Sequence, residues 1–261
     1  RQVKGSPLKE IHRTDPDCRN MRSSQGFAPA YNLQMITDMN LGMIACAQMR
    51  QEYGDQGLTE EMMDNLEEET SIVPEGVFAD TAYYSIDQLH WLEIDRGILS
   101  WIPFKEQNRE KKDIEAGISF TYLPDIDAYK CSQNRLLRRK AIHRPDQIVR
   151  YAGIECKGCP IKMKCTTAEN RNLQIHFRND WIQKFRKRMK SPAGIKAMRK
   201  RKAWAEHPFG TLKTWMGKIP LKVRGKSKVQ TEIDLYTTAY NFRRLVNATN
   251  YKLLNKQIAR Y

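Results

Sequence analysis

Glu206 is the only acidic residue between Lys184 and Lys228, a stretch that carries sixteen lysines and arginines. It stands in the string Trp204-Ala-Glu-His-Pro-Phe-Gly-Thr-Leu-Lys213. A surface that only holds polyanions gains nothing from a carboxylate at its centre, because phosphates repel it. A site that holds Mg²⁺ against a phosphate requires one, since hard cations take oxygen ligands and bridge carboxylates to phosphates. The competing reading is a charge-balancing glutamate paired with Lys202 one turn before it, worth about 0.2–0.5 kcal/mol.

Asp80 is the partner to weigh. It ends the short apolar run Gly76-Val-Phe-Ala-Asp80, which reads as a buried strand with the carboxylate exposed at its C-terminal end. Ligands of open α/β sheets collect at that end of a strand. Two-metal phosphoryl transfer takes carboxylates from separate elements to hold two Mg²⁺ ions about 4 Å apart. Lys213 lies seven residues beyond Glu206, about two turns on if the helix resumes after Pro208. On that face it clamps the scissile phosphate; ordinary contact with the phosphate backbone is the plainer reading. His207 is dispensable as a general base where metal activates the water, and Trp204 and Trp215 are candidates to stack on an unpaired base or to pack in the interior.

Four of the six cysteines form a second constellation. Cys156-Lys-Gly-Cys159 is a C-x₂-C knuckle in which Gly158 lets both thiolates meet one ion, and Cys165 with the distant Cys131 completes a tetrahedral Cys₄ zinc site. Two disulfides or free thiols are the alternatives. Cys18 and Cys46 stand alone and read as small buried apolar groups.

The elements that must position these groups follow from periodicity. Residues 31–50 read as a hairpin turning at Asp38–Gly42, with a helix from an N-capping Thr59 to about Glu69. A strand over Gly76–Asp80, a helix from Ser85 (apolar at Ile86, Leu89, Leu92 and Ile94) and a strand over Gly97–Pro103 complete an α/β layer. Residues 105–180 show one alternating strand, Ile118 to Leu123, amid polar connections, and read as an insertion stapled by metal rather than by a large core. Basic helices follow around Asp180–Met189 and from Pro192, the second ended or kinked by Pro208. The last helix is expected from Thr231 to about Gln257, with Thr231 and Asp234 as a capping box and Ile233, Tyr236, Tyr240 and Leu245 as the buried stripe. The expected divisions are 1–104, 105–180 and 181–261.

The net charge of +15 conceals an asymmetry. Residues 1–130 hold 13 Lys/Arg against 23 Asp/Glu, and residues 131–261 hold 32 against 7. The basic half is the footprint of a nucleic-acid partner, through counterion release at phosphates. A merely solvated basic surface is the bland alternative, and anionic membranes fit less well for want of a long amphipathic apolar face. No run of about 18 apolar residues is present, so no membrane span is expected. The chain starts at Arg1 rather than Met, which reads as the C-terminal part of a longer protein.

Several stretches, in order, resemble the DDE transposases of bacterial insertion sequences, in the branch with an RNase H-like catalytic domain. They are Asp15-Pro-Asp-Cys-Arg with Gly26 and Tyr31-Asn-Leu-Gln; Ala79-Asp-Thr-Ala-Tyr-Tyr-Ser85; the cysteine insertion; Ala205-Glu-His-Pro-Phe-Gly-Thr-Leu-Lys213; and Glu232 with Ala239-Tyr-Asn-Phe-Arg-Arg244. The resemblance implies an α/β, RNase H-like mixed sheet flanked by helices, a zinc-stapled insertion and a long C-terminal helix. It implies cleavage at the element's ends and strand transfer into target DNA with Mg²⁺ or Mn²⁺, by a homodimer on DNA at the bacterial nucleoid. Asp80 takes the second acidic position, Glu206 the third and Lys213 the lysine beyond it. The basic helices, with Arg199, Lys200, Arg201 and Lys202, hold the DNA backbone. Arg199 and Lys202 occupy spacings where related transposases often place Tyr and Arg.

The first acidic position stays open. Asp38 closes an apolar strand but sits at a turn, where Asp is favoured for local reasons; an Asp-Gly-Ser/Thr strand upstream of Arg1 is the alternative, with Asp15 and Asp17 behind both. Two other functions compete: a catalytically inactive or domesticated DNA-binding remnant, and a zinc-dependent RNA-binding module.

Overall fold

The computed structural model describes residues 11–23, 26–104, 108–215 and 221–249, without the side chains of residues 23, 108, 202, 203, 205–207 and 213–215. In chain order, β1 (Arg19–Ser23) and β2 (Gly26–Ala30) pair as one hairpin, and β3 (Asn32–Thr37) and β4 (Ile44–Arg50) as a second. Helix α1 (Thr59–Thr70) leads to β5 (Gly76–Phe78). A 3₁₀ turn over Thr81–Tyr83, α2 (Ile86–His90) and a π-helical turn over Trp91–Asp95 carry the chain to β6 (Leu99–Trp101), which lies parallel to β5. Next come α3 (Asn108–Glu115), β7 (Phe120–Leu123), β8 (Ala128–Cys131), β9 (Leu136–His143), β10 (Ile148–Gly153), α4 (Lys162–Cys165) and β11 (Asn172–His176). The chain ends in α5 (Asn179–Lys190), α6 (Pro192–Trp215) and α7 (Lys226–Ala248). The fold is mixed α/β with a long C-terminal helix, and among the described residues no helix is long and apolar enough to cross a membrane. Two compact units divide it: Arg1–Pro103 with Met189–Tyr261, and Phe104–Arg188.

In the first unit, β4 buries Ile44, Ala47 and Met49 in a shared cluster, and Cys46 is buried as well. α7 answers with Val229, Ile233, Thr237 and Tyr240 at helical spacing, and Leu212 of α6 joins the cluster. α7 also satisfies backbone groups of β4 that β3 leaves free. Gln230 Nε2 donates to Ala47 O and Met49 N donates to Gln230 Oε1, both at 2.8 Å. Asn241 repeats the pattern at Ile44, accepting from its N–H and donating to its carbonyl, again at 2.8 Å. Eleven residues separate the two carboxamides, about three turns, which puts them within about 20° of each other around the helix. The Tyr240 hydroxyl and the Arg244 guanidinium extend the line to Gly42 O and Leu41 O in the hairpin turn.

The cap of α7 corrects the expected Thr231–Asp234 box. The helix is capped at Gly225, more than one turn earlier, and Thr231 Oγ1 instead donates back to Ser227 O. Its first amides are met from the far end of the chain: Gly225 N donates to Asp15 Oδ1 at 3.3 Å and Lys226 N to Asp17 Oδ2 at 2.9 Å. Two carboxylates at a helix N-terminus also oppose its dipole favourably. Leu245 is exposed rather than part of the stripe, and positions beyond 249 lie outside the described residues. Thr59 likewise is not the cap of α1: Leu58 holds that position, and Gln88 Oε1 accepts from the Thr59 N–H. Of the apolar positions after Ser85, Leu89 and Leu92 are fully buried, while Ile94 faces solvent.

The second unit differs most from expectation. In place of one strand it contains a five-stranded antiparallel sheet in the order β11-β10-β9-β8-β7. Tyr129, Leu137, Tyr151 and Leu173 form its core, with Phe120, Cys131, Val149 and Ile175 against them. This unit therefore has an apolar core of its own. The two-residue period is broken in β9, which reads Leu-Leu-Arg-Arg-Lys-Ala-Ile-His and carries a register shift opposite Arg150 and Tyr151.

Replacing Gln230 or Asn241 with Ala strips β4 of partners for a buried N–H and C=O, a cost of about 1–3 kcal/mol each. Urea titration followed by tryptophan fluorescence should show the midpoint falling in both variants; an unchanged midpoint would mean that water serves the edge equally well.

Candidate functional site

β5 is three residues long and delivers Asp80 two residues past its end. Gly76 is required by close packing, since a Cβ there would lie 3.1 Å from Leu99 O of the neighbouring strand. Asp80 then caps the 3₁₀ turn, its Oδ1 accepting from Thr81 N at 2.5 Å and its carbonyl accepting from Tyr83 N at 3.0 Å. The carboxylate is 66% exposed, and its Oδ1 lies 3.9 Å from Arg201 Nη1. One face of Asp80 is thus open, beside a guanidinium.

The turn that carries Asp80 is tied to the β3–β4 hairpin through Tyr83. Its hydroxyl donates to Gln34 Oε1, and Gln34 is 2% exposed. Gln34 Nε2 donates in turn to Asp55 Oδ1 at 2.7 Å, which also accepts from Asn32 Nδ2 at 2.9 Å. Burial pushes the Tyr83 phenol up, and the Asp55 and Asp80 carboxylates add to the shift. At neutral pH the phenol therefore keeps its proton and its place as donor. Only the Tyr31-Asn-Leu-Gln string marked Gln34 in the sequence, and nothing marked Asp55.

α6 packs against β3, β5 and β6. It is continuous from Pro192 to Trp215 with Pro208 inside it, so Pro208 does not end the helix. A proline ring forfeits one backbone bond and crowds the preceding turn, yet Pro208 is fully buried and its packing holds it there. Gly194, Ala197, Pro208 and Leu212 are buried along α6, with Arg201 and Trp204 half-buried on the same stripe. Arg199 and Lys200 are exposed. Glu206 is a residue of this helix, five positions after Arg201, and Lys213 stands about two turns further on. The side chains of Lys202, Glu206, His207, Lys213 and Trp215 lie outside the described residues. Trp204 abuts the hairpin turn: a Cβ on Gly42, whose φ is +68°, would meet its ring at 2.8 Å.

Asp38 is spent on that same turn. Its Oδ2 accepts from Asn40 N at 3.1 Å and Leu41 N at 2.7 Å, and its carbonyl accepts from Gly42 N. Asp15 is buried and accepts from the Tyr31 hydroxyl at 2.9 Å, which with Asp17 gives it the capping role described above.

Cys131, Cys156, Cys159 and Cys165 line one cavity of about 30 Å³. The knuckle is formed, with Cys159 N donating to Cys156 O and Gly158 at φ +74°. Gly153 leaves room for one sulfur, since a Cβ there would lie 2.6 Å from Cys156 Sγ. The expected Cys₄ zinc centre is nevertheless not assembled. Among the described residues no group of three or more His, Cys, Asp or Glu is placed to hold a metal ion. Protein groups already engage this wall. Arg171 N donates to Cys156 Sγ at 3.3 Å, its Nη1 donates to Cys165 O at 3.1 Å, and its guanidinium pairs with buried Asp113. Burial pushes the Cys165 thiol up, against the pull of Arg171.

Tyr83→Phe should lower the unfolding free energy by about 1–3 kcal/mol, because Gln34 Oε1 is left buried without its donor. Equilibrium denaturation reads this directly, and a variant as stable as the parent would show that the hydroxyl carries no weight.

Comparison with known proteins adds a boundary. Residues 130–246 match the family described as transposase DDE domain, whereas no curated protein and no solved structure matches the chain. The matched stretch contains Glu206, Lys213 and the four cysteines of the cavity; Asp80 precedes it. Over residues 130–246, the stretch that holds the lone glutamate and the lysine beyond it, the chain is similar to the transposase DDE domain family.

Proposed function

We propose that the chain is the catalytic part of an insertion-sequence transposase, on an RNase H-like scaffold, that cleaves DNA at the element's ends and joins the freed 3′-hydroxyl to target DNA. The observation that carries it is the packing of α6, the helix of Glu206, against β5, the strand that presents Asp80. The two residues are 126 positions apart in sequence, so only folding brings their elements together.

Asp80 suits a hard cation: its carboxylate is exposed, and among the described residues its Oδ2 has no hydrogen-bond donor. With Glu206 it would hold Mg²⁺ or Mn²⁺, which supplies activation of the attacking oxygen and charge stabilisation at the leaving oxygen. Arg201 offsets the Asp80 charge, and Tyr83 and Gln34 hold the turn on which Asp80 sits. Exposed Arg199 and Lys200 bear on backbone phosphates, with Lys202 beside them and Lys213 assigned to the scissile phosphate. The engagement of Asp38 with its own turn weighs against it as the first acidic residue and favours the upstream position.

Glu206→Gln and Asp80→Asn should keep duplex affinity and lose divalent-metal-dependent nicking. The loss should exceed the roughly 10–100-fold that changes one layer further from a metal cost. Undiminished nicking in either variant would remove that residue from the site. A second reading, an inactive DNA-binding remnant, needs only the basic surface of α6, where Arg199 and Lys200 are exposed. Binding of duplex by the parent protein without any nicking in Mg²⁺ or Mn²⁺ selects that reading.

The zinc reading keeps only the common cavity and the Gly153 cradle, since no metal-holding group is assembled among the described residues. Metal analysis of protein purified under reducing conditions is its test: about one zinc per chain sustains the Cys₄ assignment, and none ends it.

A further inference from the structure

The outer face of the five-stranded sheet in the second unit carries a charge pattern that the proposed chemistry leaves unused. Alternation along each strand sends Phe120, Tyr129, Leu137, Tyr151 and Leu173 to the core, so their neighbours must point the other way. On that second face Lys130 lies opposite Leu136, Arg138 opposite Ala128 and Ala152, and Arg150 opposite Ala141 and Gln174. Lys130, Arg138 and Arg150 therefore form a straight diagonal across β8, β9 and β10, each two places along from the last. Diagonal neighbours in an antiparallel sheet are about 7–8 Å apart. Lys140 adds a fourth charge at the register shift of β9.

All four are exposed, and none has an ion-pair partner among the described residues. The contrast with Arg139 is direct, since it turns to the other face and pairs with Asp127 at 2.9 Å. Asp146, in the β9–β10 turn, is engaged by His143 at 2.9 Å. Each cation on the diagonal directly faces an uncharged residue. Like charges are thus kept from standing opposite one another, where they would repel most, yet are left unneutralised.

We propose that this face is a second contact surface for the phosphate backbone of duplex DNA. The inference rests on the DNA-acting reading of the chain. It does not rest on the catalytic carboxylates. The chemistry selects duplex over single strand, because the aromatic residues of the sheet, Phe120, Tyr122, Tyr129 and Tyr151, lie on the opposite face and offer unpaired bases no stacking platform. It selects DNA over a membrane because the residues paired with the cations are Ala128, Ala141, Ala152, Thr121 and Gln174 beside a single Leu136, short of the apolar flank that interfacial binding requires.

The test is duplex binding by the full chain carrying Lys130→Gln, Arg138→Gln and Arg150→Gln together, measured as affinity against salt concentration. Each lost phosphate contact lowers the slope of log K on log salt by about 0.9, so the triple variant should lose between about 2 and 3 in slope. The charge-keeping combination Lys130→Arg, Arg138→Lys and Arg150→Lys should retain the parent slope, which separates charge from fold. Equal losses on an element-end duplex and on an unrelated duplex of the same length assign the face to target or sequence-independent contact. A loss confined to the end duplex assigns it to end binding. An unchanged slope in the triple neutral variant, or a loss seen only with single-stranded DNA, overturns the proposal. Absence of metal-dependent nicking by the parent protein would sink the nuclease reading and leave this measurement intact.

Discussion

The structure of the first unit depends on how α7 closes β4. A two-stranded hairpin leaves a row of backbone donors and acceptors unpaired on each outer edge, and such edges are both unstable and prone to pair with other chains. Here side-chain amides of Gln230 and Asn241 take the place of a third strand, while Val229, Ile233 and Tyr240 close over the apolar face of β4. Leu212 of α6 rests in the same cluster, Trp204 lies against the turn at Gly42, and the N-terminus of α7 is capped by Asp15 and Asp17. Loosening α7 would therefore disturb the start of the chain, the hairpin and the helix of Glu206 together.

From that base the surroundings of Asp80 become intelligible. A carboxylate that is to take a cation must be held in place while staying open to solvent. The 3₁₀ turn does the holding through one oxygen, and the Tyr83–Gln34–Asp55 chain anchors the turn to the hairpin. Arg201, half-buried on α6, supplies a positive neighbour without occupying the carboxylate at hydrogen-bond distance. The same helix turns Arg199 and Lys200 to solvent. One element thus contributes to the packed interior, to the balance of charge at Asp80 and to a surface suited to phosphates.

The second unit shows a different economy. A pair of tyrosine hydroxyls, from Tyr122 and Tyr151, converges on Asp127 at the rim of its aromatic core. Hydrogen bonding, that from Tyr151 first, holds the Asp127 carboxyl below its ordinary value. A further polar anchor, the Arg171–Asp113 pair, is buried beside the cysteine cavity. The four thiols share that cavity without needing to be the chief staple of the unit, which the aromatic core supplies.

The amino-acid sequence alone determined what local rules control. The hairpin over residues 32–50 with its turn at Asp38, the strand that ends in Asp80, the opening of α6 at Pro192 and the burial of Cys18 and Cys46 follow from periodicity and turn chemistry over a few residues. The asymmetry of charge and the lone Glu206 in its basic field were equally plain. Tertiary structure decided what depends on partners far along the chain. The cap of α7 comes from Asp15 and Asp17, some 210 residues away, so the local Thr231–Asp234 signal lost to a better donor–acceptor match. Pro208 stays inside a helix because burial outweighs one missing backbone bond. The sheet of the second unit hid behind a β9 strand rich in arginine and lysine, whose outward charges mask a period that only its neighbours on either side make visible. Glu206 announced itself in the sequence, but the packing of its helix against the strand of Asp80 is a property of the fold, because no short-range rule acts across 126 residues.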